Sequence, residues 1–342
     1  MKKIGVLTGG GDCPGLNAVI RAVVRKALKE QWAVIGIKNG WKGLVDGDMT
    51  PLSEKHVSGI LPKGGTILGT SRTNPAKDEQ AFNKVVENIN KFGINALVAI
   101  GGDDTLSVAL KLHQHNIPVV GVPKTIDNDL SGTDFTFGFD TAVSIVTDAI
   151  DRLHTTAESH HRVIVVEVMG RHAGWIATMS GIAGGADDIL IPEQPFTFDE
   201  ICATIKNRYE SGKLFSIIVA AEGAIPKQGE DFVTQNDELD EFGHVRLGGI
   251  GHLIADEIKK RLKVDTRVTV LGHVQRGGTP TAYDRVLATR FGVAAADLIK
   301  QENFGKMVAL QGNKIVPIPL EEAVSKSKTV DIDLYEISKI FR

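Results

Sequence analysis

The sequence predicts an α/β protein built of two doubly wound, mainly parallel-sheet domains. Three observations carry that expectation. Short β-branched runs alternate with longer amphipathic stretches, the runs are apolar almost throughout, and five of them end in glycine followed at once by polar groups. Alternation of this kind argues for parallel strands joined by helices, and strands with no polar face argue for sheets covered on both sides. The predicted strands are KIGVLT (3–8), AVIGIK (33–38), ALVAI (96–100), PVVGV (118–122), RVIVVEV (162–168), FSIIVAA (215–221) and TRVTVLG (266–272). Predicted helices include LNAVIRAVVRKALKE (16–30) and DTAVSIVTDAIDRLHTTAE (140–158). The glycine ends are LTGGGDCPG, AIGGDD, EVMGRHAG, AAEG and LGHVQRGG. Open sheets of this class bind ligands at the carboxyl ends of their strands. A strand-to-helix turn by itself also favours glycine and aspartate. Five ends sharing glycine, arginine, histidine and carboxylate exceed what turn chemistry needs.

A chain of 342 residues, 42% hydrophobic and 24% charged, is long enough for about two domains. The divide is expected near residue 140, with residues 1–139 plus about 252–300 in one domain and 140–251 plus 301–342 in the other. The polar, acidic stretch IPKQGEDFVTQNDELDEFGHVR (225–246) reads as a surface insertion. A net charge of −3 gives no basic field for nucleic acid or an anionic membrane, so neither is expected as a partner. Cys13 and Cys202 form no metal-type spacing and read as reduced thiols in a cytoplasmic protein. The apolar run after MKK is too short for a signal-peptide core, and no segment reaches the roughly 18 apolar residues of a membrane span.

The motifs narrow the chemistry. TGGGDCPGLNAVIR (8–21) places glycines between a strand and a helix, where backbone N–H groups can approach an anion. It lacks GxxxxGK[ST], and Pro14 stands where a dinucleotide fingerprint needs glycine or alanine. The second strand also ends without the acid that would hold a ribose. A phosphate cradle of another kind is left. PKTIDND (123–129) sets Thr125, Asp127 and Asp129 at alternate positions, so an extended segment would project all three to one side. A carboxylate there could act as a general base, or Asp-Asn-Asp could be a turn that caps the next helix. GGDDTL (101–106) puts Asp103 and Asp104 side by side on a glycine turn. Arg72, Arg162, Arg171, Arg267 and Arg276 supply guanidinium forks of the kind that match phosphate bidentately.

GGGDCPGLN, GGDDT, PKTIDND, VEVMGRHAGW and LGHVQRGG, standing in this order, resemble the 6-phosphofructokinase family from the first strand to about residue 300. The resemblance implies an active site in the cleft between the two domains. It assigns the first domain to the phosphoryl donor and magnesium and the second to the sugar phosphate. It implies that Asp127 is the general base for the 1-hydroxyl of fructose 6-phosphate, with Thr125 and Asp129 beside it and Arg171 stabilising the phosphoryl group in flight. It places Asp103 with Mg2+ and Gly11, Arg72, Asp104 and Lys124 with the donor. It matches Arg162, Met169, Gly170, Glu222, Arg267, His273 and Arg276 to the sugar phosphate. In the family Arg162 and Arg267 reach in from a neighbouring subunit, so a homo-oligomer, dimer or tetramer, with a shared active site is implied.

Bacterial ATP-using members read GGDG and PGTIDND, whereas this chain carries Asp104 and Lys124 in place of those two glycines. A carboxylate where the α-phosphate of ATP would lie repels it, and an ammonium beside the leaving group suits an inorganic phosphate. Val108 also replaces a small residue often found near the adenosine pocket. The expected donor is therefore diphosphate, with ATP as the alternative. A sugar-phosphate sensor without turnover is the rival from another class, opposed by the intact Asp103, Thr125, Asp127 and Arg171. Arg21, Arg25 and Lys213 match a family effector pocket, but Glu54 and His154 stand where arginines are usual, so weak or absent effector control is expected.

Overall fold

The computed structural model describes residues 1–227, 236–239, 245–246 and 249–340. Fourteen strands are described: β1 Lys3–Thr8, β2 Ala33–Ile37, β3 Met49–Leu52, β4 Ala96–Gly101, β5 Val119–Thr125, β6 Phe137–Gly138, β7 Val163–Val168, β8 Asp188–Leu190, β9 Ser216–Ala221, β10 Asn236–Leu239, β11 Val245–Arg246, β12 Thr266–Val270, β13 Lys306–Gln311 and β14 Lys314–Pro319. All seven predicted strands are present, β1 with both ends as expected and the others with an end moved by one to three residues. The chain divides into two compact units.

The first unit comprises Met1–Ile126, Leu130–Thr141 and Arg276–Ser327. Its sheet runs β14-β13-β5-β4-β1-β2-β3, with β6 beside β5. β1, β2, β4, β5 and β13 are parallel, while β3 and β14 pair antiparallel at the two edges. β4 is buried at every position, as expected of a central strand with helices on both faces. The helices Leu16–Lys29 and Ala282–Lys300 pack together through a glycine. A Cβ on Gly292 would lie 2.7 Å from both Ala22 Cβ and the Val19 carbonyl, so only glycine permits the approach.

The second unit comprises Asp127–Asp129, Ala142–Gln275 and Lys328–Arg342. Its sheet, β12-β7-β9-β8, is parallel throughout. The helices Phe198–Glu210 and Ile250–Leu262 bury Phe198, Ile201, Ile205, Ile254 and Ile258 against Val163, Val165 and Ile218 of the sheet. Thr197 and Glu200 close a reciprocal capping box at the start of the first of these helices.

These boundaries differ from the sequence expectation at four places, the two shortest putting residues 127–129 in the second unit and 140–141 in the first. Residues 252–275 belong to the second unit because β12 pairs with β7, and residues 301–327 belong to the first because β13 pairs with β5. The sequence reading had not found the β13–β14 hairpin, whose second strand carries Pro317 and Pro319. Proline lacks the N–H of a ladder bond, and β14 tolerates it because it is an edge strand. Most of the expected insertion at 225–246 lies outside the described residues. Within it β10 and β11 pair antiparallel.

Candidate active site

In the first unit the residues expected to bind the donor gather around two glycine turns. The Gly9 N–H donates to the Ile100 carbonyl at 2.9 Å, tying the end of β1 to the end of β4. Thr105 lies between the turns. A Cβ on Gly9 would sit 2.5 Å from its Oγ1, and a Cβ on Gly101 would sit 2.4 Å away, so both glycines are required for closure. The Thr70 hydroxyl donates to the Gly10 carbonyl at 2.5 Å, and the Gly10 N–H donates to Ser71. This ties the segment that carries Arg72 to the loop.

Two cations flank that loop. The Lys124 ammonium donates to the Gly11 carbonyl. Arg276 Nη1 donates to the Asp12 carbonyl at 3.3 Å and approaches Gly11 so closely that a Cβ there would lie 2.5 Å away. Lys124 is only 3% exposed, while Gly11 is exposed, so a deeply set charge underlies an accessible backbone. Arg276, expected with the sugar phosphate, thus stands within this unit at the glycine loop expected to bind the donor. Asp103 and Asp104 occupy the first turn of the helix Asp103–Gln114, where unpaired N–H groups favour carboxylates. Asp103 is exposed and Asp104 half-buried.

Thr125 ends β5 and the chain then bends. Asn128, fully buried, takes φ 52, so residues 125–129 are not the continuous extended segment that alternation suggested. Asparagine tolerates this left-handed conformation better than most side chains. Exposure still alternates: Thr125, Asp127 and Asp129 are half-open, and Ile126, Asn128 and Leu130 are buried.

The second unit brings Asp127, Arg171 and Glu222 into one electrostatic environment. Burial, then the charge of Asp127, pushes the Glu222 carboxyl up to about 7, while Arg171 and the Gly170 N–H pull it back. The turn that carries Met169, Gly170 and Arg171 is held by backbone bonds, Glu222 N–H to the Val168 carbonyl at 2.8 Å and Gly223 N–H to Gly170 at 3.1 Å. Gly170 has φ +134, a conformation open to glycine. The Met169 N–H donates to Oε1 of the buried Gln275 at 3.2 Å. His273 is exposed on the neighbouring 3₁₀ turn.

Arg162 and Arg267 are not brought to that group. They stand at the opposite ends of β7 and β12, where Asp265 binds both, Arg162 Nε at 2.6 Å and Arg267 Nη1 at 3.0 Å. These bonds, the Arg162 hydrogen bond first, hold the Asp265 carboxyl below the usual carboxylate range. At about 3.3 Å per residue, the six residues of β7 separate this pair from Met169 by roughly 20 Å.

Several supporting residues escaped the sequence reading. Glu167, 3% exposed, accepts the N–H of Gly249 at 3.2 Å and of Gly251 at 2.8 Å, fixing the start of the helix Ile250–Leu262. Its signal was a lone charge inside the apolar run RVIVVEV. Thr105 and Gln275 lie inside GGDDTL and LGHVQRGG, whose supporting side chains the pattern did not single out, and Glu193 gave no signal. Among the effector candidates, Arg25 pairs with Glu54 at 3.3 Å and His154 Nε2 bonds the Gly184 carbonyl at 2.8 Å. Among the described residues no cluster of three or more His, Cys, Asp or Glu could cage a metal, and no helix is long and apolar enough to cross a membrane.

Comparison with known proteins gives a single picture. The family described as phosphofructokinase matches residues 3–299. A pyrophosphate--fructose 6-phosphate 1-phosphotransferase of Streptomyces coelicolor is 58% identical over 99% of both chains. An ATP-dependent 6-phosphofructokinase of Corynebacterium efficiens is 54% identical over 97% of this chain and 96% of its own. The phosphofructokinase of Pichia pastoris superposes on 99% of this chain with a TM-score of 0.85 at 34% identity, and this chain spans 36% of that longer one.

Proposed function

The chain belongs to the phosphofructokinase family, and on that premise we propose its reaction together with the residues that perform it. It is a phosphotransferase that converts D-fructose 6-phosphate to fructose 1,6-bisphosphate in glycolysis, with diphosphate as a reversible phosphoryl donor. Asp127 takes the proton of the 1-hydroxyl, and that oxygen attacks the terminal phosphorus of diphosphate. The bridging P–O bond breaks and inorganic phosphate leaves. Thr125 and Asp129 stand on either side of the base, and Arg171 balances charge on the transferring group. Such stabilisation supplies most of the catalysis in phosphoryl transfer.

Lys124 carries the donor assignment. A buried ammonium bonded to the carbonyl of an exposed glycine turn is a fixed charge beside the place where an inorganic phosphate departs. Arg276 adds a second cation on the same turn, and Gly11 and Arg72 complete the donor set. Asp104, on the first turn of the adjacent helix, disfavours the α-phosphate of a nucleotide. Mg2+ fits this donor set in its usual manner, through one exposed carboxylate and the substrate's own phosphates, and Asp103 would hold it. When bound, the ion neutralises charge on the phosphoryl oxygens.

Met169, Gly170, Glu222 and His273 receive the sugar phosphate. The separation of Arg162 and Arg267 from that group supports a homo-oligomer in which these two arginines serve a second copy's site. The Arg25–Glu54 pair supports weak effector control. The setting proposed is cytoplasmic. Initial rates with fructose 6-phosphate and magnesium, comparing saturating diphosphate with saturating ATP, test the assignment. At least about a hundredfold preference for diphosphate is expected, some 2.7 kcal/mol of discrimination. Faster turnover with ATP would transfer the donor role to the nucleotide, as in the name of the Corynebacterium efficiens relative.

A further inference from the structure

We propose that residues 328–330 form a positioning strap that holds the Asp127 segment and the Arg171 turn in fixed register, and that Glu193 anchors it. The inference rests on the reaction proposed above. Five contacts carry it, all within the second unit. The Lys328 N–H donates to the Asp129 carbonyl at 2.7 Å, two residues beyond the base. The Lys328 carbonyl accepts Nε1–H of Trp175 at 3.0 Å, and the Lys328 ammonium lies 5.2 Å from the centre of the Trp175 ring. The Val330 N–H donates to Glu193 Oε1 at 2.9 Å. Glu193 also accepts the Gly174 N–H through both oxygens at 3.1 Å.

Gly174 and Trp175 begin the helix Trp175–Ala183 directly after the Arg171 turn. A Cβ on Gly174 would lie 2.3 Å from Ile191 Cγ2 and 3.1 Å from Glu193 Oε2, so glycine here permits the close contact. The strap is fixed beyond its far end as well. Val330 is buried, and the Tyr335 hydroxyl of the following helix donates to the Ile189 carbonyl at 2.9 Å. The base sits after β5 has ended, on a bend that leads through a left-handed residue to the isolated bridge of Leu130 with Ser327. The Arg171 turn is likewise irregular. Transfer geometry is lost with displacements of about an ångström, and one short segment bonded to both sides controls that displacement.

Glu193 is therefore a positioning residue, acting through Val330, Gly174 and Lys328. The test compares the whole protein with Glu193→Gln, which retains one carboxyl oxygen and turns an amide toward an N–H, and with Trp175→Phe, which removes a single donor. Glu193→Gln is expected to lower kcat at least tenfold, with KM for fructose 6-phosphate and diphosphate within about twofold. Trp175→Phe should lower kcat about threefold with the same split, and it decides the question should Glu193→Gln fold poorly. Amide hydrogen exchange supplies a readout independent of turnover, and faster exchange in segments 127–129 and 170–175 together is expected of Glu193→Gln. Unchanged kcat per folded site with a lowered Tm, or faster exchange confined to residues around 174, would overturn the strap. A wild-type protein inert with both donors would instead overturn the proposed reaction.

Discussion

The glycine turns of the first unit and two helix starts of the second are held by opposite charges. Around residues 9–12 the backbone carbonyls are bound by cations, Lys124 on Gly11 and Arg276 on Asp12. In the second unit the backbone N–H groups are bound by carboxylates, Gly174 by Glu193 and the Gly249 and Gly251 amides by Glu167. The first arrangement sets two cations beside the exposed backbone of Gly11, an environment suited to a polyanion. The second occupies N–H groups and gathers negative charge around Asp127, which suits the removal of a proton. In the proposed reaction, donor and acceptor chemistry would thus be separated by the sign of the charge that binds the backbone of each unit.

The largest test of that contrast is Asp127→Ala. If the second unit's negative charge serves proton removal, kcat should fall about a thousandfold while fructose 6-phosphate still binds, as steady-state rates and calorimetry would read. A variant with near-normal turnover would make the acceptor side a binding surface only. Next in size is Asp104→Gly, which removes the carboxylate from the first turn of the helix Asp103–Gln114. The ratio of kcat/KM for ATP to that for diphosphate should rise about tenfold. A ratio that stays put would mean that the two cations alone select the donor.

A smaller effect is expected of Glu167→Gln. The residue is buried and accepts two backbone N–H groups, and glutamine replaces one acceptor with a donor. Leaving a buried group unsatisfied costs about 1–3 kcal/mol, read as a lowered Tm, with amide exchange rising at the start of the helix Ile250–Leu262. Exchange that rises in the first unit instead would show that Glu167 does not act where its bonds lie.

The same contrast explains what the sequence disclosed. Asp127, Lys124, Gly11 and Arg171 were legible because each lies within a few residues of a glycine or in a short dense motif. Glu193 and the role of Gln275 were not, because these side chains serve amides 19 and 106 positions away, although Gln275 lies inside LGHVQRGG. The same limit applied to the fold. β1, β4 and β7 were legible as apolar runs, whereas β14 hid behind two prolines that only an edge position allows. The domain assignment of residues 252–275 and 301–327 depended on the pairings β12–β7 and β13–β5, which no local pattern encodes.

The finest test concerns Glu222. Burial first, and the Asp127 charge second, raise its carboxyl from the ordinary 4.5 to about 7. The folded protein therefore holds this proton more tightly than the unfolded chain does. The unfolded chain releases it near pH 4.5 and the folded protein only near pH 7, so stability falls as pH rises across that window and levels off above it. Glu222→Gln resembles the protonated form at every pH. The two proteins should melt together near pH 4, below the unfolded chain's titration, and the glutamine variant should melt higher by pH 8. In kinetics, ionised Glu222 sets a second negative charge beside Asp127 and makes it the stronger base. Wild-type kcat should consequently rise two- to threefold through pH 7, and the variant should lack that step. Parallel melting curves at all pH values would mean that this carboxyl is as well solvated as any on the surface. The negative charge around Asp127 would then owe nothing to burial, and the contrast between the two units would reduce to their hydrogen bonds.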